Sequence, residues 1–176
     1  MQNFIKSIIK SKMKKFPKND HFKLPFRMCT LYNHLQDTID NVRVIEKGMV
    51  PAMSKYDSET SKLIIFDDLG MEPKRTQAQI SLYFIRGRKQ GWSMIYISQS
   101  YFRIPKTIRI NSQYVILDRN LTQRDLGIIC RDFPADIPIK TLIDLYKRTI
   151  SEKMTTMLMD ITDRKIYRNV IEFICD

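Results

Sequence analysis

Two adjacent carboxylates, Asp67 and Asp68, stand directly after an uninterrupted apolar run from Leu63 to Phe66. Such a run is typical of a strand that is buried on both faces of a parallel sheet. At the end of this strand, the first carboxylate can hold a magnesium ion and the second can polarise a water molecule for attack on phosphorus. The same pattern also arises where the acids only cap the next turn or helix. Both interpretations stay open on this pattern alone.

A second pair of polar residues, Ser98 and Gln99, follows another apolar segment, Ser93 to Ile97. In parallel sheets, ligands bind at the carboxyl ends of the strands. Because both polar pairs stand where an apolar strand ends, we expect them to contribute to one shared site. The glutamine amide can donate a hydrogen bond to a phosphate oxygen and accept one from water. It can equally be a strand-end glutamine that is bonded to a nearby loop.

The elements that must position these residues alternate between apolar strands and helical segments, a pattern that predicts an α/β fold. A helix is predicted from Arg75 to Gln90, with Gly91 as its stop signal. The sheet is expected to be mainly parallel, with a short antiparallel addition near the C-terminus. The other predicted strands are Phe26–Cys29, Val42–Ile45, Tyr114–Leu117, Thr155–Ile161 and Tyr167–Phe173, and the other later helices are Thr122–Cys130 and Ile139–Ile150.

Composition excludes several classes of protein. With 176 residues, 43% of them hydrophobic, the chain is expected to form one globular domain with a real core. No stretch reaches the roughly 18 apolar residues of a membrane span, so a soluble intracellular protein without stable membrane insertion is expected. The three cysteines are far apart and have no histidine cluster beside them, which argues against a disulfide framework or a zinc site.

The net charge of +11 is unevenly distributed along the chain. Residues 1–18 hold six lysines and no acid, with apolar residues at near-helical spacing, and are predicted to form a basic amphipathic segment ahead of a domain over residues 19–176. This segment fits a solvated helix packed on the domain or an arm that touches DNA or a membrane surface. Residues 74–131 hold eleven basic and two acidic residues. A block this basic attracts polyanions, of which nucleic acid is the commonest.

Four segments at tight spacing give the sequence a specific resemblance. It resembles the genome-packaging ATPases of large DNA viruses, virophages and Polinton-like elements, which belong to the FtsK and HerA group of P-loop NTPases. The resemblance is densest between residues 63 and 117. The segments that carry it are Asp67-Asp68-Leu69-Gly70, Phe84-Ile85-Arg86-Gly87-Arg88, Ile95-Tyr96-Ile97-Ser98-Gln99-Ser100 and Ile108-Arg109-Ile110-Asn111.

The resemblance implies an ATP-hydrolysing motor that moves double-stranded DNA into a capsid as a homo-oligomeric ring. It implies that Asp67 associates with magnesium, that Asp68 is the catalytic carboxylate and that Gln99 senses the γ-phosphate of ATP. Arg86 or Arg88 would act on the neighbouring subunit's nucleotide, because a guanidinium stays charged and offers a planar fork to phosphate oxygens. Two solvated helix arginines would look the same in the sequence.

Three further cations, Arg103, Lys106 and Arg109, are assigned to DNA phosphates or subunit contacts. They lie beside Tyr101 and Phe102, and charged loops with aromatic residues fit a channel that tracks a nucleic-acid backbone. We see no pattern that would read bases, which agrees with sequence-independent binding by a translocating motor. Capsid proteins are expected as partners, and a viral factory or virion as the location if the chain is viral.

The main departure from the family is a missing glycine-rich loop. The pattern G-x-x-x-x-G-K-[ST], the Walker A loop that cradles phosphates, occurs nowhere in the chain, and the first glycine is Gly48. The segment Leu24 to Cys29 resembles the strand that should lead into this loop, yet Thr30 follows where glycines are expected. A degenerate paralogue, a lost internal exon and a divergent phosphate site all explain this departure.

The sequence therefore predicts a P-loop-like packaging ATPase whose core is incomplete at the N-terminal phosphate-binding unit. A degenerate paralogue or a lost exon would make this form inactive, whereas a divergent phosphate site would leave it active, and the sequence leaves both outcomes open. A non-catalytic nucleic-acid-binding or scaffold protein derived from such an ATPase is the alternative. In that case, the basic regions bind DNA and the old nucleotide site is vestigial. A peripheral membrane protein held by the lysine-rich segment is a third possibility.

Overall fold

The structure is a computed structural model that describes residues 22–26, 42–46, 49–133 and 137–175. The chain divides into two compact units, residues 1–98 and residues 99–176. The predicted basic segment over residues 1–18, and with it the predicted domain boundary, lies outside the described residues. No helix in the described ranges is long and apolar enough to cross a membrane.

The first unit contains a four-stranded parallel sheet in the order β2-β1-β3-β4. Its strands are β1 (Phe22–Phe26), β2 (Val42–Glu46), β3 (Lys62–Asp67) and β4 (Trp92–Ile97), with helix α1 (Lys74–Arg86) between β3 and β4. Short 3-10 turns cover Met53–Lys55, Leu69–Met71 and Gly87–Gln90. The predicted parallel strands around the acidic pair are therefore confirmed, whereas β1 begins and ends earlier than the predicted Phe26–Cys29.

Strand β3 is the centre of the first core because its side chains are apolar on both faces. Leu63, Ile64, Ile65 and Phe66 are all buried. Helix α1 covers one face with Tyr83 and Phe84, whose rings lie 5.5 Å and 6.4 Å from the ring of Phe66. Aromatic rings at these separations and tilted angles pack favourably. This packing fixes the carboxyl end of β3, where the acidic pair stands.

Gly91 makes the turn from α1 into β4. Its φ of +72° lies in the left-handed region, which glycine adopts without a steric penalty. Its N–H donates to the Arg88 carbonyl at 3.2 Å, and its carbonyl accepts from the Lys62 N–H at 2.8 Å. A Cβ at this position would lie 2.6 Å from the Thr60 carbonyl oxygen. The predicted role of Gly91 as the stop signal is confirmed.

The second unit contains a four-stranded antiparallel sheet in the order β5-β6-β7-β8, with helices on one face. Its strands are β5 (Tyr114–Leu117), β6 (Met157–Asp160), β7 (Lys165–Arg168) and β8 (Glu172–Cys175). Its helices are α2 (Lys106–Ile110), α3 (Gln123–Asp132) and α4 (Ile139–Thr149), preceded by a 3-10 turn at Tyr101–Arg103. Apolar residues of β5, β6, β7, α3 and α4 form its core, which Cys130, a free thiol, packs against.

The antiparallel part differs from the expectation in two ways. It is a sheet of its own, since β5 pairs with β6, rather than a short addition to the parallel sheet. The predicted strand Tyr167–Phe173 is in fact two strands, because Asn169 and Val170 have φ values of 50° and 72° and turn the chain between β7 and β8. A β-branched residue with positive φ is uncommon, so the sequence does not signal this turn.

Candidate functional site

The acidic pair lies at the carboxyl edge of the parallel sheet, as the sequence predicts. Asp67 is the last residue of β3 and stands in register with Ile97, the last residue of β4. The Asp68 N–H donates to the Ile97 carbonyl oxygen at 3.0 Å, so the pairing continues one residue beyond the strands. Ser98 follows Ile97 directly. The first unit therefore brings Asp67, Asp68 and Ser98 together at one edge.

This edge is also the place where the strand order of the parallel sheet reverses. The chain passes from β1 outward to β2 and then returns past β1 to β3, so β1 and β3 are the neighbours at which the order changes. In doubly wound sheets, the crevice outside the carboxyl ends of the strands at this point is the usual ligand site. The topology places Asp67 at the position where a ligand is expected.

Asp68 has a backbone conformation that few residues adopt. Its φ of 51° and ψ of 33° are left-handed, and it caps the 3-10 turn Leu69–Met71. Aspartate tolerates this region better than most residues do, because its short polar side chain bonds locally. Asp67 is half-buried and Asp68 is exposed, so the second carboxylate points to solvent at the edge of the sheet.

Side chains beneath the acidic pair hold the turn that follows it. The Gln77 amide of α1 donates to the Leu69 carbonyl and so ties the turn to the helix. Tyr96, in register with Phe66, lies beneath the same turn with its ring 6.5 Å from that of Phe66. Burial raises the pKa of Tyr96, a hydrogen bond with Gln77 lowers it and the nearby Asp68 carboxylate raises it. Tyr96 therefore stays neutral at neutral pH.

The opposite end of β3 is closed by a buried lysine that sequence reasoning missed. Lys62 is 2% exposed, and its ammonium donates to the carbonyls of Asp57 and Thr60 and to the Thr60 hydroxyl. It also lies 5.4 Å from the centre of the Trp92 ring, within the range of a cation–π contact. Since all its donors point at protein groups, Lys62 has a structural role. A lysine before an apolar run is a weak signal, because lysines are mostly exposed.

The two candidate arginines, Arg86 and Arg88, are exposed, and they lie far from the acids of their own chain. Helix α1 starts beyond the carboxyl end of β3 and ends before the amino end of β4. A helix of 13 residues is about 20 Å long, so the arginines stand near the opposite edge of the sheet. They cannot reach Asp67 or Asp68 of the same subunit, and their predicted action on a neighbouring subunit stays a prediction.

The remaining predicted site residues belong to the second unit. Gln99 is its first residue and is exposed, and its predicted role beside the acids stays a prediction. Arg103, at the end of a 3-10 turn, and Lys106, the first residue of α2, are both exposed. These placements leave both side chains accessible to a ligand.

Arg109 has an intramolecular partner in the second unit. Its Nη1 lies 2.7 Å from Asp132 Oδ2, its side chain is 12% exposed and its guanidinium is 5.2 Å from the centre of the Tyr101 ring. Burial, with the Asp132 carboxylate adding to it, raises the pKa of Tyr101 far above its usual range. This group gives Arg109 a structural role that joins α2 to α3, and its predicted DNA contact stays untested.

The described residues fit one half of a magnesium–nucleotide site. They contain no group of three or more His, Cys, Asp or Glu side chains that could hold a metal alone. Magnesium is commonly held by one or two carboxylates together with substrate phosphates and water, so the paired acids suit a metal that arrives with a phosphate. The other half, a glycine-rich phosphate cradle, is absent from the sequence.

The parallel sheet, its strand order and the acids at its carboxyl edge define an α/β fold of the P-loop packaging-ATPase kind. Solved structures of viral genome-packaging NTPases share this fold. The chain is similar to B204, the DNA-packaging ATPase from Sulfolobus turreted icosahedral virus, with a TM-score of 0.63 and 10% identity over 95% of this chain and 87% of that one.

The chain is also similar to B204 from Sulfolobus turreted icosahedral virus 2, a genome-packaging NTPase. For its complex with ATP-γS, the TM-score is 0.57 at 12% identity, over 92% of this chain and 85% of that one. For its complex with AMP, the TM-score is 0.58 at the same identity and coverage. No protein-family profile and no curated protein sequence matches the chain. The predicted fold and the likeness to viral packaging ATPases are therefore confirmed at the level of the fold.

Proposed function

We propose that this chain is a DNA-packaging protein of the viral ATPase type, which acts on double-stranded DNA and whose acidic edge is one half of a nucleotide site. The observation that carries the proposal is the position of Asp67 and Asp68, at the carboxyl edge of β3, in a fold shared with packaging NTPases solved with nucleotide analogues. The basic stretch over residues 74–131 supports DNA as the second partner. The similar structures also support a viral context for the chain.

In this proposal, each acid has a distinct task. Asp67, half-buried and fixed by the register of β3 with β4, would hold magnesium through its water shell, and the metal would neutralise phosphate charge. Asp68, exposed and held in the turn, would orient a water molecule. Gln99 would report the state of the γ-phosphate. These roles carry over from the resemblance, and the placement of the acids supports the first two.

The isolated 176-residue protein is expected to show no magnesium-dependent ATP turnover, and Asp68→Asn is expected to change nothing. Two carboxylates without backbone donors and a lysine repel a polyphosphate more than they bind it. Phosphate release from ATP, measured with and without duplex DNA, checks this expectation. Clear turnover that Asp68→Asn abolishes would contradict it and would establish a phosphate site that the sequence does not display.

The coding sequence offers a direct check on the missing loop. An in-frame stretch near the codons for Met28 to Tyr32 that encodes a glycine-rich loop with Lys-Ser or Lys-Thr would restore the complete enzyme.

The alternative function, a non-catalytic DNA-binding scaffold, is favoured by the missing loop together with the basic stretch. Both functions predict salt-sensitive binding of duplex DNA, but only the ATPase predicts that nucleotide alters this binding.

We further propose that subunits associate through the outer face of α1. Leu82 and Ile85 are 41% and 50% exposed, although both are large and apolar, and they lie next to the candidate arginine Arg86. The opposite face of the helix is the buried one, with Ile80, Tyr83 and Phe84. Self-association through this exposed stripe would bring Arg86 to another copy of the chain.

Leu82→Glu is expected to shift the protein from an oligomer towards the monomer, because it places a charge in an apolar contact. Gln79→Glu is the matched control, since Gln79 is exposed on the same helix and gains the same charge without losing apolar surface. Sedimentation velocity of the three proteins measures the effect. A monomeric wild type, or an oligomer that Leu82→Glu leaves intact, would argue against association through this face.

A further inference from the structure

The second unit carries an arginine stacked on an exposed aromatic ring. The guanidinium carbon of Arg124 lies 3.4 Å from the centre of the Phe102 ring. Phe102 is 45% exposed and Arg124 is exposed, so the pair lies at the surface. An arginine on a helix surface normally samples many conformations, whereas contact with the face of a ring restricts the guanidinium to one position. The pair presents a preoriented cation to solvent.

A buried carboxylate below the pair locks its two elements together. Asp125, only 1% exposed, accepts from the Phe102 N–H at 2.8 Å and from the Ser100 hydroxyl at 2.9 Å. Its other oxygen accepts from the Thr122 hydroxyl at 2.6 Å and closes a capping box at the start of α3. The loop that carries Phe102 and the helix that carries Arg124 therefore hold a fixed relation to each other.

Two more cations stand close to Phe102 in the sequence. Arg103 is the next residue and Lys106 starts α2, and both are exposed. In the described part of the second unit, Arg103, Lys106 and Arg124 make no ion pair with a carboxylate. Arg109, by contrast, does make one. We call Phe102, Arg103, Lys106 and Arg124 the Phe102 patch. None of the carboxylates that the structure describes in this unit pairs with these cations, so the patch suits an anionic partner.

We infer that the Phe102 patch binds the phosphate backbone of duplex DNA and that Arg124 makes a phosphate contact. The inference rests on the proposed function, in which double-stranded DNA is the partner. The chemistry favours the backbone over bases: Arg124 covers a face of the Phe102 ring, so that face cannot stack on a base as single-strand binding proteins require. A planar fork of N–H donors matches phosphate oxygens instead.

The test is the affinity of the full chain for fluorescently labelled duplex DNA over a series of salt concentrations. Each phosphate contact contributes about 0.9 to the slope of log affinity against log salt, so one contact is worth roughly eightfold at about 0.1 M salt. Arg124→Gln is expected to weaken binding by about this factor and to reduce the slope by about 0.9. Arg148→Gln, an exposed arginine on α4, removes the same charge and should leave both values unchanged.

Two further variants separate stacking from charge. Phe102→Leu keeps every charge but removes the ring, and it is expected to weaken binding because Arg124 loses its support. Arg124→Lys keeps the charge without the planar fork and should bind with intermediate affinity. Circular dichroism checks that each variant is folded.

The outcomes distinguish this inference from the proposed function. A wild-type chain that fails to bind duplex DNA even at low salt would overturn the proposed function itself. Duplex binding that Arg124→Gln weakens no more than Arg148→Gln does would overturn the Phe102 patch alone. Tighter binding of single-stranded than of duplex DNA, lost in Phe102→Leu, would replace backbone contact with base stacking and also overturn the inference.

Discussion

Gly91→Ala is expected to lower the free energy of unfolding of the first unit by about 2–4 kcal/mol. The variant would need a left-handed conformation that alanine adopts only with strain, and its Cβ would lie 2.6 Å from the Thr60 carbonyl oxygen. Because that carbonyl also accepts from the buried Lys62 ammonium, the clash cannot be relieved by moving the loop without disturbing the lysine. The loss combines backbone strain with a displaced buried charge.

Urea unfolding followed by tryptophan fluorescence measures this loss. The chain has a single tryptophan, Trp92, which follows Gly91 directly, so the signal reports on the affected unit. Gly127→Ala is the control, because a Cβ there meets nothing within 4 Å and Gly127 lies inside α3. Since α3 belongs to the second unit, the unfolding of this variant and of wild type is also followed by circular dichroism. That substitution should be neutral or stabilise by up to about 1 kcal/mol, as alanine does in a helix. Equal unfolding curves for wild type and Gly91→Ala would contradict the strain argument.

Asp125→Ala is expected to destabilise the second unit by about 3 kcal/mol at neutral pH. The substitution removes the carboxylate that accepts from the Phe102 N–H and from the Ser100 and Thr122 hydroxyls. It also removes the link between the Tyr101–Arg103 turn and α3. Urea unfolding followed by circular dichroism gives the difference from wild type. Asp144→Ala on the exposed face of α4 is the control and should change stability little.

The effect of Asp125→Ala depends on pH in a defined direction. Burial by itself raises the pKa of Asp125, but the hydrogen bonds from Thr122, Phe102 and Ser100 together outweigh it and lower the pKa below the ordinary value. The stabilisation is therefore fully present above the unfolded-state pKa of about 4 and is lost as the pH falls through the lower folded-state value. The difference in the free energy of unfolding between wild type and Asp125→Ala should become smaller at acidic pH. A difference in the free energy of unfolding that stays constant from neutral to acidic pH would show that the charge of the Asp125 carboxylate does not contribute to stability.

The fold around the acids was predictable because its signals are local. An apolar run such as Leu63 to Phe66 predicts a buried strand, and Gly91 after a helical segment is a strong signal for the end of the helix. The separate antiparallel sheet was not predictable, since the pairing of β5 with β6 joins residues that are about 40 positions apart in the chain. The turn at Asn169 and Val170 was missed because valine argues for a strand and not for a turn.

The candidate site shows the same division between local and distant signals. Asp67 and Asp68 were found from the run that precedes them. Arg124 was missed, because on sequence grounds it is one more arginine on an amphipathic helix and its ring partner lies 22 residues earlier. One contact of Asp125 could be predicted from the sequence. Thr122 and Asp125, three residues apart, together form the two-residue signature of a capping box. The contacts of Asp125 with Ser100 and Phe102 depend on tertiary structure alone.

The two ends of strand β3 are held in place differently. Its amino end is secured by a buried ammonium and a glycine turn, and its middle by four inaccessible side chains, whereas its other end leaves the Asp68 residue exposed. A change at the exposed Asp68 residue leaves the buried middle of β3 in place. A fold can therefore stay the same while the residues at its strand ends differ, which agrees with a shared architecture at 10% identity.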